Sequence, residues 1–169
     1  AQRVHVAEGA QLRADATRQG DGGRVIVWAD ENTRFYGGVS ARGGEAGGNG
    51  GFAEVSGKQN LEFRGTADLS APQGALGTLL LDPEDIIVAT GSGILPSVAD
   101  EFADFESNVV TIDPGRLNAL AANVTLQANR HVYVKDTLSL TTPGASLAID
   151  AGGPTHVGGT IHLESLDTR

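Results

Sequence analysis

The sequence predicts an all-β chain wound as a parallel β-helix, with one short helical excursion. Three observations carry this. Strand-like blocks recur at a coil-length interval, glycine-rich runs stand between them where hairpin dipeptides would be needed, and the apolar residues are mostly small aliphatics, with aromatics at only 5%.

The recurring blocks come first. VHVAEG from Val4, RVIVWAD from Arg24, FAEVSG from Phe52 and TLLLDP from Thr78 are each strand-like and end in a small or acidic residue. NVTLQAN from Asn123, SLAIDAG from Ser146 and TIHLES from Thr160 continue the series. Val25, Val27 and Ala29 alternate with Arg24, Ile26 and Trp28, so one face is expected to be buried while Ile26 and Trp28 leave the other face apolar.

A second block, QLRADA, VSARGG and ADLSAP, puts an aliphatic two residues before Ala in its first two copies and Leu69 two before Ala71 in its third. Leu12, Val39 and Leu69 mark equivalent places at intervals of about 27 to 30 residues, inside the range of solenoid units. Stacked at about 4.8 Å, roughly six or seven such coils form a rod on the order of 30 Å long.

The corners decide against hairpins. Asp21-Gly22 and Asn49-Gly50 occur only inside the longer runs GDGG and GGEAGGNGG, whose glycines supply positive φ at bends between strands of successive faces. An antiparallel β-sandwich is the rival architecture.

The pattern breaks once. Coils are expected over 1–93 and again over 123–169, with a loop and short-helix excursion at 94–122. Val98, Phe102 and Phe105 recur at helical spacing, and Asp113 followed by Pro114, Leu117 and Leu120 reads as an N-cap, a first-turn proline and the apolar side of a short helix.

Composition excludes several functions. A net charge of −9 with no basic stripe argues against nucleic acid and against anionic membranes, and no run approaches the ~20 apolar residues of a membrane helix. With neither cysteine nor methionine there are no disulfides or zinc-thiolate sites. A start without Met or an apolar leader reads as an internal piece of a longer protein.

The stretch from Gly20 to Ile86, containing GGRVIVWADENTRFYGGVSARGG and GTLLLDPEDI, resembles the shaft repeats of filamentous-haemagglutinin-like exoproteins. DPGRLNALAANVTLQANRHVYVKDTLSL, from Asp113 to Leu140, is similar to the module that follows in that family. The resemblance covers most of the chain. It implies a right-handed parallel β-helix, two-partner secretion from a Gram-negative cell through a dedicated outer-membrane transporter, and an extracellular or outer-surface location. It also implies an adhesin or structural shaft with no catalytic role. The family's secretion domain and its export motifs are not found in this sequence, so export rests on the kinship.

Candidate contact residues for a partner, whether a host or bacterial surface glycan or a protein, are the aromatics Trp28, Phe35 and Tyr36 and, in the excursion, Phe102 and Phe105. Against this, Trp28 or Phe35 would simply fill the solenoid edge. Copies of the chain are a further partner, since it begins and ends in strands without a polar capping coil; end-to-end filament assembly is therefore an alternative function.

A β-helical carbohydrate-active enzyme is the other alternative, with Asp30, Glu31, Glu54 and Asp68 available as acid and base. These read better as outward positions and turns. No cofactor, catalytic residue or metal site is expected. The acidic group Asp100, Glu101, Asp104 and Glu106, with Asp82, Glu84 and Asp85, lacks calcium-loop spacing and reads as a solvated face. Gly43 to Gly51 lacks the ending of a phosphate cradle. Of His5, His131, His156 and His162, only the last two are candidates to meet on adjacent strands. Asp82-Pro83 and Asp113-Pro114 are acid-labile dipeptides that read first as a turn and a helix start.

Overall fold

A computed structural model of the chain describes residues 1–90, 109–152, 155–157 and 161–163. These residues form an all-β structure whose sheets are mostly parallel, with a single short helix among them. Elements are numbered in chain order.

Three kinds of strand alternate along the first third of the chain. β1 (Arg3–Val6), β4 (Asn32–Phe35) and β7 (Asn60–Phe63) make one sheet, and β2 (Gln11–Arg13), β5 (Gly38–Ser40) and β8 (Thr66–Asp68) make a second. β3 (Arg24–Ala29), β6 (Phe52–Gly57), β9 (Thr78–Leu81), β12 (Asn123–Ala128) and β15 (Leu147–Ala151) make a five-stranded third. β10 (Asp85–Val88), β11 (Val109–Ile112), β13 (His131–Val134) and β16 (Thr155–Val157) form a fourth sheet, and β14 (Leu138–Leu140) pairs with β17 (Ile161–Leu163). Every ladder between these strands is parallel, with Val27 opposite Val55, Val55 opposite Leu81 and Leu81 opposite Leu126. The hairpins of an antiparallel sandwich do not occur among the described strands.

The register stacks like on like. Val27, Val55, Leu81 and Leu126 are buried, as are Phe35, Phe63, Leu61, Val39 and Ala67, and together they form one apolar cluster. Parallel strands 28 residues apart bring identical side chains together: the Asn60 amide donates to the Asn32 Oδ1 at 2.7 Å in a buried pair. The bond satisfies polar groups that would otherwise cost about 1–3 kcal/mol each when buried. Thr33 Oγ1 likewise donates to the Ser56 carbonyl at 2.7 Å.

The glycine corners lie against one another. Gly20 N donates to the Gly47 carbonyl and Gly44 N to the Gly20 carbonyl, both at 2.9 Å. Gly48 adopts φ +122°, and a Cβ there would strike the Gly20 carbonyl, so the corner requires glycine for conformation and for space.

Several expectations are corrected. The repeats β3 to β5 and β6 to β8 each hold three strands rather than two, because NTRF and NLEF are strands that the buried polar residues Asn32, Thr33 and Asn60 disguise. β1 pairs with β4 rather than standing with β3, and β17 pairs with β14, since short alternating blocks look alike whichever sheet they join. Ala67, not Leu69, lies opposite Val39.

Residues 94–122 are not all loop and helix. Val109–Ile112 is a strand paired to β10, as its β-branched run favours, and it also abuts β7. The helix α1 (Pro114–Asn118) forms as expected, with Asp113 as N-cap accepting from Gly115 N at 2.7 Å. Beyond it Ala121 bridges to Asp68, while the Asn118 Oδ1 accepts from Ser139 N at 2.8 Å. The stretch from Val109 to Ala122 thus sits between β7 and β10 on one side and between β8 and β14 on another. The helical spacing expected at Val98, Phe102 and Phe105 lies outside the described residues.

Candidate functional site

Alternation along the five-stranded sheet turns one set of side chains away from the core. Ile26 and Trp28 are 53% and 43% exposed, and the expected apolar outer face is present at β3. Register sets Ile26 opposite Glu54, Glu54 opposite Leu80, Leu80 opposite Thr125 and Thr125 opposite Ala148. In the next row Trp28 faces Ser56 and Gln127 faces Asp150, with Asp82 directly after β9 between them. At the start of the same face the Arg24 guanidinium lies 4.6 Å over the Phe52 ring.

Three carboxylates share this face: Glu54, Asp82 and Asp150. Glu54 Oε1 accepts from the Ser56 hydroxyl at 3.0 Å. The buried Oδ1 of Asp82 has no hydrogen-bond partner among the described residues. Burial, and then the negative charges of Glu54 and Asp150, hold the Asp82 carboxyl above the usual carboxylate range. In the sequence Glu54, Asp82 and Asp150 lie in three separate blocks, and nothing local joins them. The available signal was the acidic residue closing the blocks TLLLD and SLAID, which recurs at one register position.

The remaining aromatic candidates separate. Phe35 is fully buried and stacks on Phe63 with ring centroids 5.6 Å apart, so it is a core residue and not a contact residue. Trp28 stands on the outward side of β3, whereas all four residues of β4, Phe35 among them, are buried. Tyr36 is half-buried; its hydroxyl donates to Glu62 Oε2 at 2.7 Å, and His5 meets its ring edge-on at 5.4 Å. Burial, together with the Glu62 carboxylate, pushes the Tyr36 hydroxyl up to about 12. Glu62 also pairs with Arg64 at 2.7 Å and with the buried Arg34 at 3.7 Å. Phe102, Phe105, Asp100, Glu101, Asp104 and Glu106 lie outside the described residues.

The other acidic candidates are tied into the scaffold. Asp68 accepts from Ser70 N and Oγ, Glu31 pairs with Arg3 at 3.1 Å, and Asp30 is exposed. Glu84 pairs with Arg130 at 3.5 Å. Asp85 is buried against the Arg130 guanidinium and accepts from His131 N at 3.1 Å. His156 and His162 stand on β16 and β17, which belong to different sheets and are not adjacent strands of one ladder. A cleft of about 370 Å³ lies between Thr66 and α1, lined also by Asp113, Arg116 and Leu120.

The fold and its outer face define an all-β chain of mostly parallel sheets carrying an exposed aromatic and three carboxylates on one sheet face. No protein-family model and no curated protein matches the chain.

Proposed function

We propose that the chain is a stretch of right-handed parallel β-helix, three strands to a turn, from a secreted Gram-negative surface protein of the filamentous-haemagglutinin-like kind. Its work is that of a non-catalytic adhesin or shaft segment, exported by two-partner secretion through an outer-membrane transporter, that holds a contact face away from the cell. The carrying observation is the parallel pairing of strands about one repeat apart, as in Asn32 with Asn60, around one shared apolar cluster. A scaffold built this way has a stiff, repetitive surface on which side chains such as Trp28 stand outward.

The test is antibody labelling of intact cells that produce the parent protein, with and without the transporter. Surface label that depends on the transporter supports the reading; label only after lysis overturns it. Incubation of the chain with a polysaccharide panel is expected to release no shortened product, and cleavage would make it an enzyme.

End-to-end association of copies is a second reading. It is favoured by the partly buried apolar residues Val4, Val6, Leu12 and Val25 toward one side of the core and Leu147 and Ile149 toward the other. Electron microscopy with size-exclusion chromatography distinguishes filaments from single molecules.

A further inference from the structure

We propose that the outer face of the five-stranded sheet, built from Trp28, Glu54, Asp82 and Asp150, docks a linear polysaccharide that carries free amino groups. The inference rests on the reading of the chain as a non-catalytic surface module and names its partner class.

The argument begins with exposure. Ile26 and Trp28 are the exposed large hydrophobic side chains among the described residues, and both stand on β3. An indole left in water is a platform for the apolar face of a sugar ring and for a cation. Charge then selects the partner. Glu54 is bonded to an uncharged hydroxyl, Asp82 keeps a buried oxygen without a partner among the described residues, and Asp150 is exposed. The chain as a whole carries −9. Sulfated or uronic acid polymers are repelled by such a face, whereas an ammonium brings three donors and a positive charge to it. Burial and the two neighbouring carboxylates raise the Asp82 carboxyl, and a bound amine relieves that repulsion.

Spacing favours a polymer of rings. Trp28, Asp82 and Asp150 belong to or directly follow alternate strands of the sheet, β3, β9 and β15. Strands about 4.8 Å apart therefore offer a recognition group every ~10 Å across the sheet, the scale of two linked pyranose rings. Between them in that row stand Ser56, which is short and buried, and Gln127, whose amide offers both a donor and an acceptor to the hydroxyls of a ring lying across the strands. A basic peptide, by contrast, takes its affinity from side chains anchored in pockets.

Trp28 is the only tryptophan, so its fluorescence reports on this face alone. The experiment titrates the full chain with a glucosamine hexamer, its fully N-acetylated counterpart, heparin and polylysine, following Trp28 emission and binding heat. The mass of the oligosaccharide is measured after incubation. The glucosamine hexamer is expected to shift Trp28 emission, to bind at least tenfold more tightly than the acetylated hexamer, and to weaken as salt rises. Asp82→Asn and Glu54→Gln are each expected to weaken it several-fold without lowering Tm. Equal binding of the acetylated hexamer, binding heat without a change at Trp28, a response to polylysine alone, or no binding overturns the proposal. A shortened hexamer instead overturns the non-catalytic reading while leaving the docking face in place.

Discussion

Phe35 on β4 stacks on Phe63 of β7, with planes 6° from parallel and centroids 5.6 Å apart, so one repeat lays its ring on the ring of the next. Both rings are buried, and neither can be removed without leaving a cavity between strands. Phe35→Ala and Phe63→Ala are each expected to cost about 3–5 kcal/mol. Trp28→Ala, on the exposed face, is expected to cost less than about 1 kcal/mol. Urea denaturation of the three variants checks the contrast, and similar losses for Phe35→Ala and Trp28→Ala would contradict the placement of Phe35.

Asp82 gives a pH dependence of definite sign. Its carboxyl is raised in the folded chain by burial and by Glu54 and Asp150, so the native state holds the proton more tightly than the unfolded state. The group favours folding below the unfolded value of 3.8, and that contribution is lost as pH rises through the raised folded value. Asp82→Asn is therefore expected to stabilise the chain at pH 7 by ~0.5 kcal/mol after solvent screening, or about 1–2 °C in Tm. The gain should vanish as the pH is lowered toward 4. Thermal melts across pH 4 to 8 measure it.

Asp15 has the opposite sign. Burial works against its charge, but hydrogen bonds from Arg42 N and the Ser40 hydroxyl, with the Arg42 charge, outweigh it and lower its pKa. Its contribution is present above the unfolded 3.8 and lost as pH falls through the lower folded value. Asp15→Asn is expected to cost about 1 kcal/mol at pH 7, because the bonds from Ser40 and Arg42 lose their charged acceptor. The same melts should show the wild-type advantage shrinking in strong acid.

Tyr36 can be read spectroscopically. The chain has two tyrosines, so a Tyr133→Phe variant leaves Tyr36 as the one phenol to titrate. Absorbance of the phenolate is expected to rise only near about 12, as burial and the hydrogen bond to Glu62 require. Adding Glu62→Gln should bring the transition down toward 10. An ordinary phenol midpoint in the single variant would show that the Tyr36 to Glu62 bond does not persist in solution.

Gly48 tests the corners. Its φ of +122° and the Gly20 carbonyl lying where a Cβ would be make Gly48→Ala strained on two counts. A loss of about 1–3 kcal/mol is expected from equilibrium unfolding, whereas Gly9→Ala, at φ +80° but with open space around it, should lose less.

Local patterns in the chain were enough to determine the β class, the strands at RVIVWA, FAEVSG, TLLL and NVTLQA, the glycine corners and the capped helix at Asp113. Each depends on interactions within a few residues: alternation, positive φ, a side chain closing on the next amides. The exposure of Trp28 was legible for the same reason. Tertiary structure alone decided which strand lies beside which. NTRF hides its strand character because Asn32 and Thr33 find partners 28 and 23 residues away, at Asn60 and Ser56, and no local rule announces a buried polar residue that is satisfied at such distance. Which of the two readings of Phe35 holds, contact residue or filler, was settled only by pairing, since all four residues of its strand are buried and no local alternation marks its side. The group of Glu54, Asp82 and Asp150 exists only once parallel register has brought residues from three distant blocks onto one face, in two adjacent rows, and register is a property of the pairing rather than of any single strand.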